Sequence, residues 1–258
     1  MSAVKAKEET GIKPWEKPIP FTENFKWADM PATFTAESYT AWMEEALPMI
    51  KDMPAIEHTE ARTKGIPVGN KIFYLRPFPM YQMFGGFLLN ARRGRAGLGV
   101  YTGRTEREAK FDDVVNIPVL ANKTLSPWMS LTPNEVFTLR GQVRRSKGNV
   151  GIAGLGMGWV ARKVLERKKV SHVTIYERDQ SVIDFFGKSL KEDFGDKVTI
   201  VNEDAYNVDW MKHDVALWDI WPGIGDAAWD RKYKEIKKKL ERRGKVCCGW
   251  TDGDVYRK

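Results

Sequence analysis

An α/β fold is predicted here: a mostly parallel sheet of about five strands with flanking helices, preceded by a smaller α+β region. Three features predict it. In the second half, short apolar runs at 149–153, 172–176, 198–201, 214–220 and 246–250 alternate with longer amphipathic runs at 157–167, 181–194 and 226–243. The short runs have strand length and are rich in Val and Ile, whereas the long ones carry apolar residues at helical spacing. A glycine-rich turn follows the first short run directly. Strand–helix alternation at this pitch implies βαβ units and therefore a parallel sheet.

The elements follow in order. Residues 1–24 are charged and carry Pro14, Pro18 and Pro20, the texture of an extended or mobile arm. Residues 36–50 predict an amphipathic helix with Tyr39, Trp42, Met43 and Leu47 on one face. From 65 to 120 Gly and Pro recur between β-prone runs at 71–75, 87–89, 99–102 and 114–120, which predicts a small hairpin-rich sheet region. Arg92, Arg93 and Arg95 fall in a Gly-containing loop that reads as a solvated turn, with contact to phosphate or carboxylate as the lesser reading. At 132–143 a helix is expected, with Thr132 as N-cap, Pro133 at its first position and Glu135 closing a capping box. In 181–194 Val182, Phe185, Phe186 and Leu190 share a face, and in 226–243 Trp229, Tyr233, Ile236 and Leu240 do, which leaves the lysines outside. The expected organisation is an arm over 1–24, an α+β region over 25–126 that caps the site or meets substrate, and the α/β unit over 127–258.

The chain has 258 residues, 42% of them hydrophobic, enough for one large or two modest cores. Its net charge of +8 suits a soluble protein with Lys-rich faces and leaves nucleic acid open as a partner. Cys247 and Cys248 are adjacent in an apolar run, so they cannot staple a loop and read as core residues. A cytoplasmic location is expected, since the first twenty residues lack the apolar segment of a secretion signal and nowhere do 18 apolar residues follow one another. His58, His172 and His213 are scattered without metal-ligand spacing, so no metal is expected.

The chemistry-bearing segment is Gly154-Leu155-Gly156-Met157-Gly158-Trp159, between a strand and a helix. Glycine there permits positive φ and close approach of a ligand to the backbone. The dinucleotide pattern G-x-G-x-x-G would want glycine at 159, and Trp159 is expected to crowd a pyrophosphate. Glu177 ends the second strand, where a carboxylate can accept both hydroxyls of a ribose. Asp204 and Ala205 follow the third strand, where an acid can accept from an adenine amino group or else cap the next turn. Asp219 ends the fourth strand, followed by Trp221 and Pro222. A carboxylate at the end of an apolar strand is costly to desolvate unless it is used or hydrogen-bonded.

With GIAGLGMG, VTIYERD, VTIVNEDA and DVALWDIWP in this order, residues 148–250 resemble the class I methyltransferases dependent on S-adenosyl-L-methionine (SAM), and within them the spermidine-synthase-like branch. The resemblance implies a Rossmann-like domain with SAM as cofactor. Gly154, Leu155, Gly156 and Gly158 would approach the methionine part, Glu177 with Arg178 the ribose, and Asp204 with Ala205 the adenine. Asp219 would border the methyl group as the catalytic residue, with Trp221 and Pro222 beside the acceptor. Three departures accompany it. Trp221-Pro222 only loosely matches the Pro-Pro-aromatic element of amino-methyltransferases, and GLGMGW replaces the acidic glycine turn of aminopropyltransferases. Family sheets commonly continue for two more strands, whereas eight residues follow Trp250 here. Acceptor contacts are therefore expected from residues 1–130, or a second copy of the chain covers the sheet edge. Methyl transfer to an acceptor the sequence does not name leads. Aminopropyl transfer, methylthioadenosine-forming chemistry and a non-catalytic SAM- or nucleic-acid-binding module stay open, with NAD binding as a lesser reading.

Overall fold

The computed structural model describes residues 18–24, 33–78, 84–88, 106–221, 227 and 229–250. The expected strand at 99–102 and the Arg92–Arg95 loop lie outside them. So does most of the expected arm, but its last seven residues are fixed. Ile19 bridges Phe34, and Phe21 is buried edge-on against Phe34, Tyr39 and Trp42, at ring distances of 5.3, 4.6 and 5.0 Å. Aromatic burial of this size outweighs the local proline-rich tendency to stay extended and solvated.

Strand β1 (Thr33–Phe34) leads into α1 (Ala36–Ala46). The helix buries Ala36, Tyr39, Met43 and Ala46. It stops short of the expected residue 50 because Leu47 precedes a proline, which disfavours helical geometry: Leu47 has φ −134° and ψ 77°. A 3-10 turn at Pro48–Ile50 follows, then α2 (Ala61–Lys64). Strands β2 (Ile66–Val68), β3 (Lys71–Phe78), β6 (Val115–Asn122) and β7 (Pro127–Ser130) form an antiparallel sheet in the order β2-β3-β6-β7, and β4 (Phe84–Leu88) and β5 (Glu106–Phe111) join β1 in a three-stranded sheet. Strand β7 lies in the stretch expected to begin the α/β unit, yet it pairs with β6.

Both faces of β3 are covered. Tyr74 packs with Ile56, Ala61, Val119 and Ala121, while Phe73 and Leu75 enter the main core. Phe73 sits edge-on to Phe185 and Phe186, 5.4 and 5.2 Å away, and so docks the small sheet on the second half of the chain.

That half is the expected α/β unit. Helix α3 (Pro133–Arg145) opens with the anticipated capping box: Thr132 accepts from the Glu135 N–H, and the Glu135 carboxylate accepts from the Thr132 N–H. Then β8 (Gly148–Ala153), α4 (Trp159–Leu165), β9 (Val170–Glu177), α5 (Gln180–Phe194), β10 (Val198–Asn202), β11 (Val215–Trp218), α6 (Arg231–Glu241) and β12 (Val246–Gly249) follow. All five strands are parallel, in the order β10-β9-β8-β11-β12. In sequence order that is 3-2-1-4-5, the doubly wound Rossmann-like arrangement whose strand order reverses between β8 and β11. Strand β11 is buried at every position, as its unbroken apolar run requires with both faces covered.

Helix α5 buries Val182, Phe186 and Leu190 as read from the sequence. Helix α6 buries Tyr233 and Leu240 but starts later than expected, because Asp230 caps it by accepting from the Tyr233 N–H. Trp229 consequently falls before the helix and is 67% exposed rather than part of the stripe. Cys247 and Cys248 are buried, and neither takes part in a disulfide among the described residues. Among the described residues no helix is long and apolar enough to cross a membrane.

A polar cluster lies within the sheet layer. His213, 1% exposed, bonds through Nε2 to the Tyr176 hydroxyl at 2.9 Å and through Nδ1 to Asn149 Oδ1 at 3.2 Å. Since the Asn149 oxygen can only accept, the imidazole proton belongs on Nδ1 and the Tyr176 hydroxyl donates to Nε2. Burial, followed by the charges of Lys212 and Lys245, pulls the His213 pKa down to about 4 from an ordinary 6.5. The unfolded chain therefore takes up this proton near pH 6.5 and the folded chain resists until about 4. This contribution to stability is complete above pH 6.5 and falls by up to about 3 kcal/mol as the pH drops to 4. Urea titrations of the wild type and His213→Gln across that window test it, with a flatter pH dependence expected for the variant. Parallel curves would count against a buried neutral histidine.

Candidate active site

A cavity of about 570 Å³ lies outside the C-terminal ends of β8, β9, β10 and β11, at the point where the sheet order reverses. Such crevices are where open α/β sheets take ligands. One wall comes from the parallel unit: Gly154 and Gly156 after β8, Glu177–Gln180 after β9, Glu203–Tyr206 after β10 and Asp219–Trp221 after β11. The other comes from the four-stranded sheet and α3, through Asn70, Lys71, Leu120, Trp128, Met129, Glu135 and Leu139.

The turn after β8 is held by backbone geometry. Gly154 has φ +88° and donates its N–H to Tyr176 O at 2.8 Å. A Cβ there would stand 2.5 Å from the Asp219 carbonyl oxygen, so only glycine lets the two strand ends meet. The buried Leu155 turns its side chain inward and donates its N–H to Glu177 Oε2 at 3.0 Å. Glu177 Oε1 accepts from the Asp179 N–H at 2.9 Å. Both oxygens of Glu177 thus brace the two loops, and each retains a lone pair for a hydroxyl in the cavity. Arg178 is exposed at the rim.

Asp204 caps the 3-10 turn Ala205–Asn207 through the Tyr206 N–H at 2.9 Å, so the capping role is realised. The residue nevertheless lines the cavity with the buried Ala205. Asp230 gathers the far corner: its carboxylate accepts from the Tyr206 hydroxyl and, at 3.0 Å, from Trp221 Nε1. Trp221 lies parallel to Trp218 at 6.2 Å and edge-on to Tyr233 at 5.0 Å, which fixes its ring at the cavity edge.

Asp219 is anchored through its backbone, which donates to Ala153 O at 3.0 Å. Its carboxylate takes no hydrogen bond from the described residues. Burial, and then the neighbouring Glu135 carboxylate, push its pKa up to about 7. Glu135 is raised too, by burial, although Ser130 and Thr132 donate to it. A strand-end carboxylate that titrates near neutrality and faces open space can take up a proton there.

Two expected features lie elsewhere. Trp159, 4% exposed, belongs to the core and meets Trp42 edge-on at 6.0 Å. It does not border the cavity, so the steric argument against a pyrophosphate does not hold. The first turn of α4 buries its side chains because that helix packs against the sheet and α3. Gly158, with φ +87°, is the N-cap of α4 beside Leu190 and is also set back from the cavity wall. Pro222 lies outside the described residues. Sequence reasoning missed Lys71, Trp128, Met129 and the second use of Glu135. Glu135 carried a capping signal only, and nothing local marks a lysine at the start of a strand as a cavity residue.

No protein-family model and no curated protein matches the chain. Among solved structures it is similar to a dimethyladenosine transferase from Plasmodium falciparum, with 20% identity, 43% of this chain and 38% of that one covered, and a TM-score of 0.32. It is similar to spermidine synthase from Thermotoga maritima, with 21% identity, 41% and 43% covered and a TM-score of 0.31. A spermidine synthase bound to the transition-state analogue AdoDATO gives 19% identity, 48% of each chain covered and a TM-score of 0.34. The matched stretch spans less than half of each of these proteins.

Proposed function

We propose that the cavity binds SAM and that the chain is a SAM-dependent methyltransferase. The observation that carries this is the charge of the wall. Among the described residues lining the cavity, Glu135, Glu177, Asp179, Glu203, Asp204 and Asp219 are acidic, against Lys71 and Arg178. Lys71 is already paired with Asp179. An acid-rich wall in a chain of net charge +8 favours a cationic ligand and disfavours an anionic dinucleotide. SAM is a sulfonium cation carrying a ribose, and NAD carries a pyrophosphate.

The residues fit such a ligand in the order of the strands. Gly154 and Gly156 let the backbone approach the amino-acid part. Glu177 accepts from the ribose hydroxyls with the lone pairs its bracing bonds leave over. Asp204 and Ala205 border the base. Asp219 meets the acceptor, orients its nucleophilic atom in line with the methyl carbon and takes the proton that atom loses. When bound, SAM supplies a methyl carbon on a sulfonium, whose C–S bond electrons leave with sulfur as a neutral thioether. Alignment of acceptor and methyl contributes much of the rate in such displacements. Trp221, Leu139 and Trp250 line the same cavity and offer apolar contact to an acceptor.

Thermal shift and calorimetry with SAM, S-adenosylhomocysteine, methylthioadenosine and NAD side by side test the reading. Concentration-dependent stabilisation by the first three is expected. Stabilisation by NAD alone, or by none of the four, would overturn it. Product mass spectrometry then separates methyl transfer, which yields S-adenosylhomocysteine, from aminopropyl transfer, which yields methylthioadenosine.

A further inference from the structure

We propose that Trp128, held by Lys71, is the base-stacking wall of the nucleoside site, so that the four-stranded sheet supplies part of the ligand-binding surface. The inference rests on the adenosyl reading of the cavity and adds a residue from outside the parallel unit.

Trp128 lies on β7 and remains 45% exposed, although it lines a cavity whose opposite wall holds Glu177, Asp179 and Asp204. An indole is a large apolar surface to leave facing solvent, and within a concave site it marks a place where a flat ligand gains by covering it. The ring is also fixed in place. The Lys71 ammonium sits 4.6 Å from its centroid. Lys71 is only 4% exposed, and it donates to the Asp179 carboxylate and, at 3.0 Å, to Asn70 Oδ1. A buried ammonium needs such partners, and here they occupy two of its three N–H bonds while the indole face takes the remaining charge.

The contacts form a continuous line. Trp128 touches Lys71, Lys71 pairs with Asp179, the Asp179 N–H binds Glu177, and Glu177 binds the Leu155 N–H in the glycine turn. The indole is thereby referenced to the carboxylate assigned to the ribose. A purine attached to that ribose has its edge toward Asp204 and Ala205 and one face available to an aromatic wall. Stacking of a base on an aromatic side chain is worth about 1–3 kcal/mol by alanine substitution, that is roughly 5- to 150-fold in affinity.

The test is calorimetry of the full chain with adenosine, methylthioadenosine and S-adenosylhomocysteine, on the wild type, Trp128→Ala and Trp128→Phe, with unliganded melting temperatures alongside. Adenosine isolates the nucleoside from every part of the methyl-transfer reading. Trp128→Ala is expected to weaken all three ligands by a similar factor, about tenfold or more, and Trp128→Phe to recover most of the loss. Wild-type and Trp128→Ala affinities within twofold of one another would overturn the proposal and leave the SAM reading standing. A loss that Trp128→Phe does not recover, accompanied by a lower unliganded melting temperature in both variants, would also overturn it by assigning Trp128 a structural role. Failure of the wild type to bind any of the three would remove the adenosyl reading and this inference with it.

Discussion

Replacing Asp219 with Ala is expected to lower turnover by about 100- to 10,000-fold, the range of a lost general base, while adenosyl-ligand affinity changes little. The residue combines three properties. Its backbone is locked to Ala153, its carboxylate takes no hydrogen bond from the described residues, and its pKa is pushed up to about 7 by burial and by Glu135. If the ionised form is the one that accepts the proton, kcat/KM of the wild type rises as pH increases through about 7, and the profile of Asp219→Asn is flat over the same range. On the proposed SAM reading a sulfonium beside Asp219 would favour its ionised form, so the corresponding inflection in kcat is expected at lower pH than that in kcat/KM. Unchanged turnover in Asp219→Ala would sink the assignment.

The same shift has a consequence for stability that does not depend on catalysis. A carboxyl whose folded pKa is raised from 3.8 to about 7 contributes stability that is fully present below about 3.8 and is lost as the pH rises through 7. Asp219→Asn removes that loss. At pH 8 the variant is expected to be more stable by about 2 kcal/mol, discounted from the full linkage value of about 4 because the cavity opens to solvent. The difference shrinks toward zero by pH 4. Chemical denaturation at pH 4, 6 and 8 measures it directly.

The second large effect is expected at Gly154. Gly154→Ala places a side chain where φ is +88° and where its Cβ would lie 2.5 Å from the Asp219 carbonyl oxygen. That oxygen belongs to the backbone of a strand end, so it cannot swing aside as a flexible side chain would. Strain of about 1–3 kcal/mol and a similar cost of overpacking add at one point, for about 2–6 kcal/mol in all. Relief by moving the two loops apart would break the registry of Glu177 and Asp219. The variant is expected to lose adenosyl-ligand binding as well as stability, read as a lower unfolding midpoint and a missing thermal shift. Gly195→Ala is a useful comparison: φ is also positive, at +50°, but nothing lies within 4 Å of the added Cβ, so the backbone strain is present without the collision.

Where the chain's signals are local, reading them was enough. Thr132, Pro133 and Glu135 announce the start of α3 because a capping box is made by four consecutive residues. The stripe Val182, Phe186 and Leu190 announces the buried face of α5 because helical period alone puts those positions together. Boundaries moved where a neighbour intervened. Leu47 left the helix because of Pro48, and the Asp230 cap made α6 start five residues after the expected position, leaving Trp229 outside. The carboxylates were legible for a topological reason: in a parallel sheet every strand ends at the same side, so Glu177, Asp204 and Asp219 meet at one edge. Arg178 and Trp221 follow them there.

By itself, then, the sequence determined the doubly wound unit, the residues at the ends of its strands and the glycine turn that lets β8 and β11 approach each other. Only the tertiary structure decided what faces those residues. Trp159 stands beside the glycine turn in sequence but packs on Trp42 in the core, because the first turn of α4 is buried against neighbouring elements. Lys71, Trp128 and Glu135 lie far from the turn in sequence and close the cavity opposite it. Their place depends on how the four-stranded sheet docks, through Phe73 on Phe185 and Phe186. Docking of that kind is set by the complementarity of two preformed apolar faces, which depends on the shape of the whole contact and leaves no periodic mark in either segment.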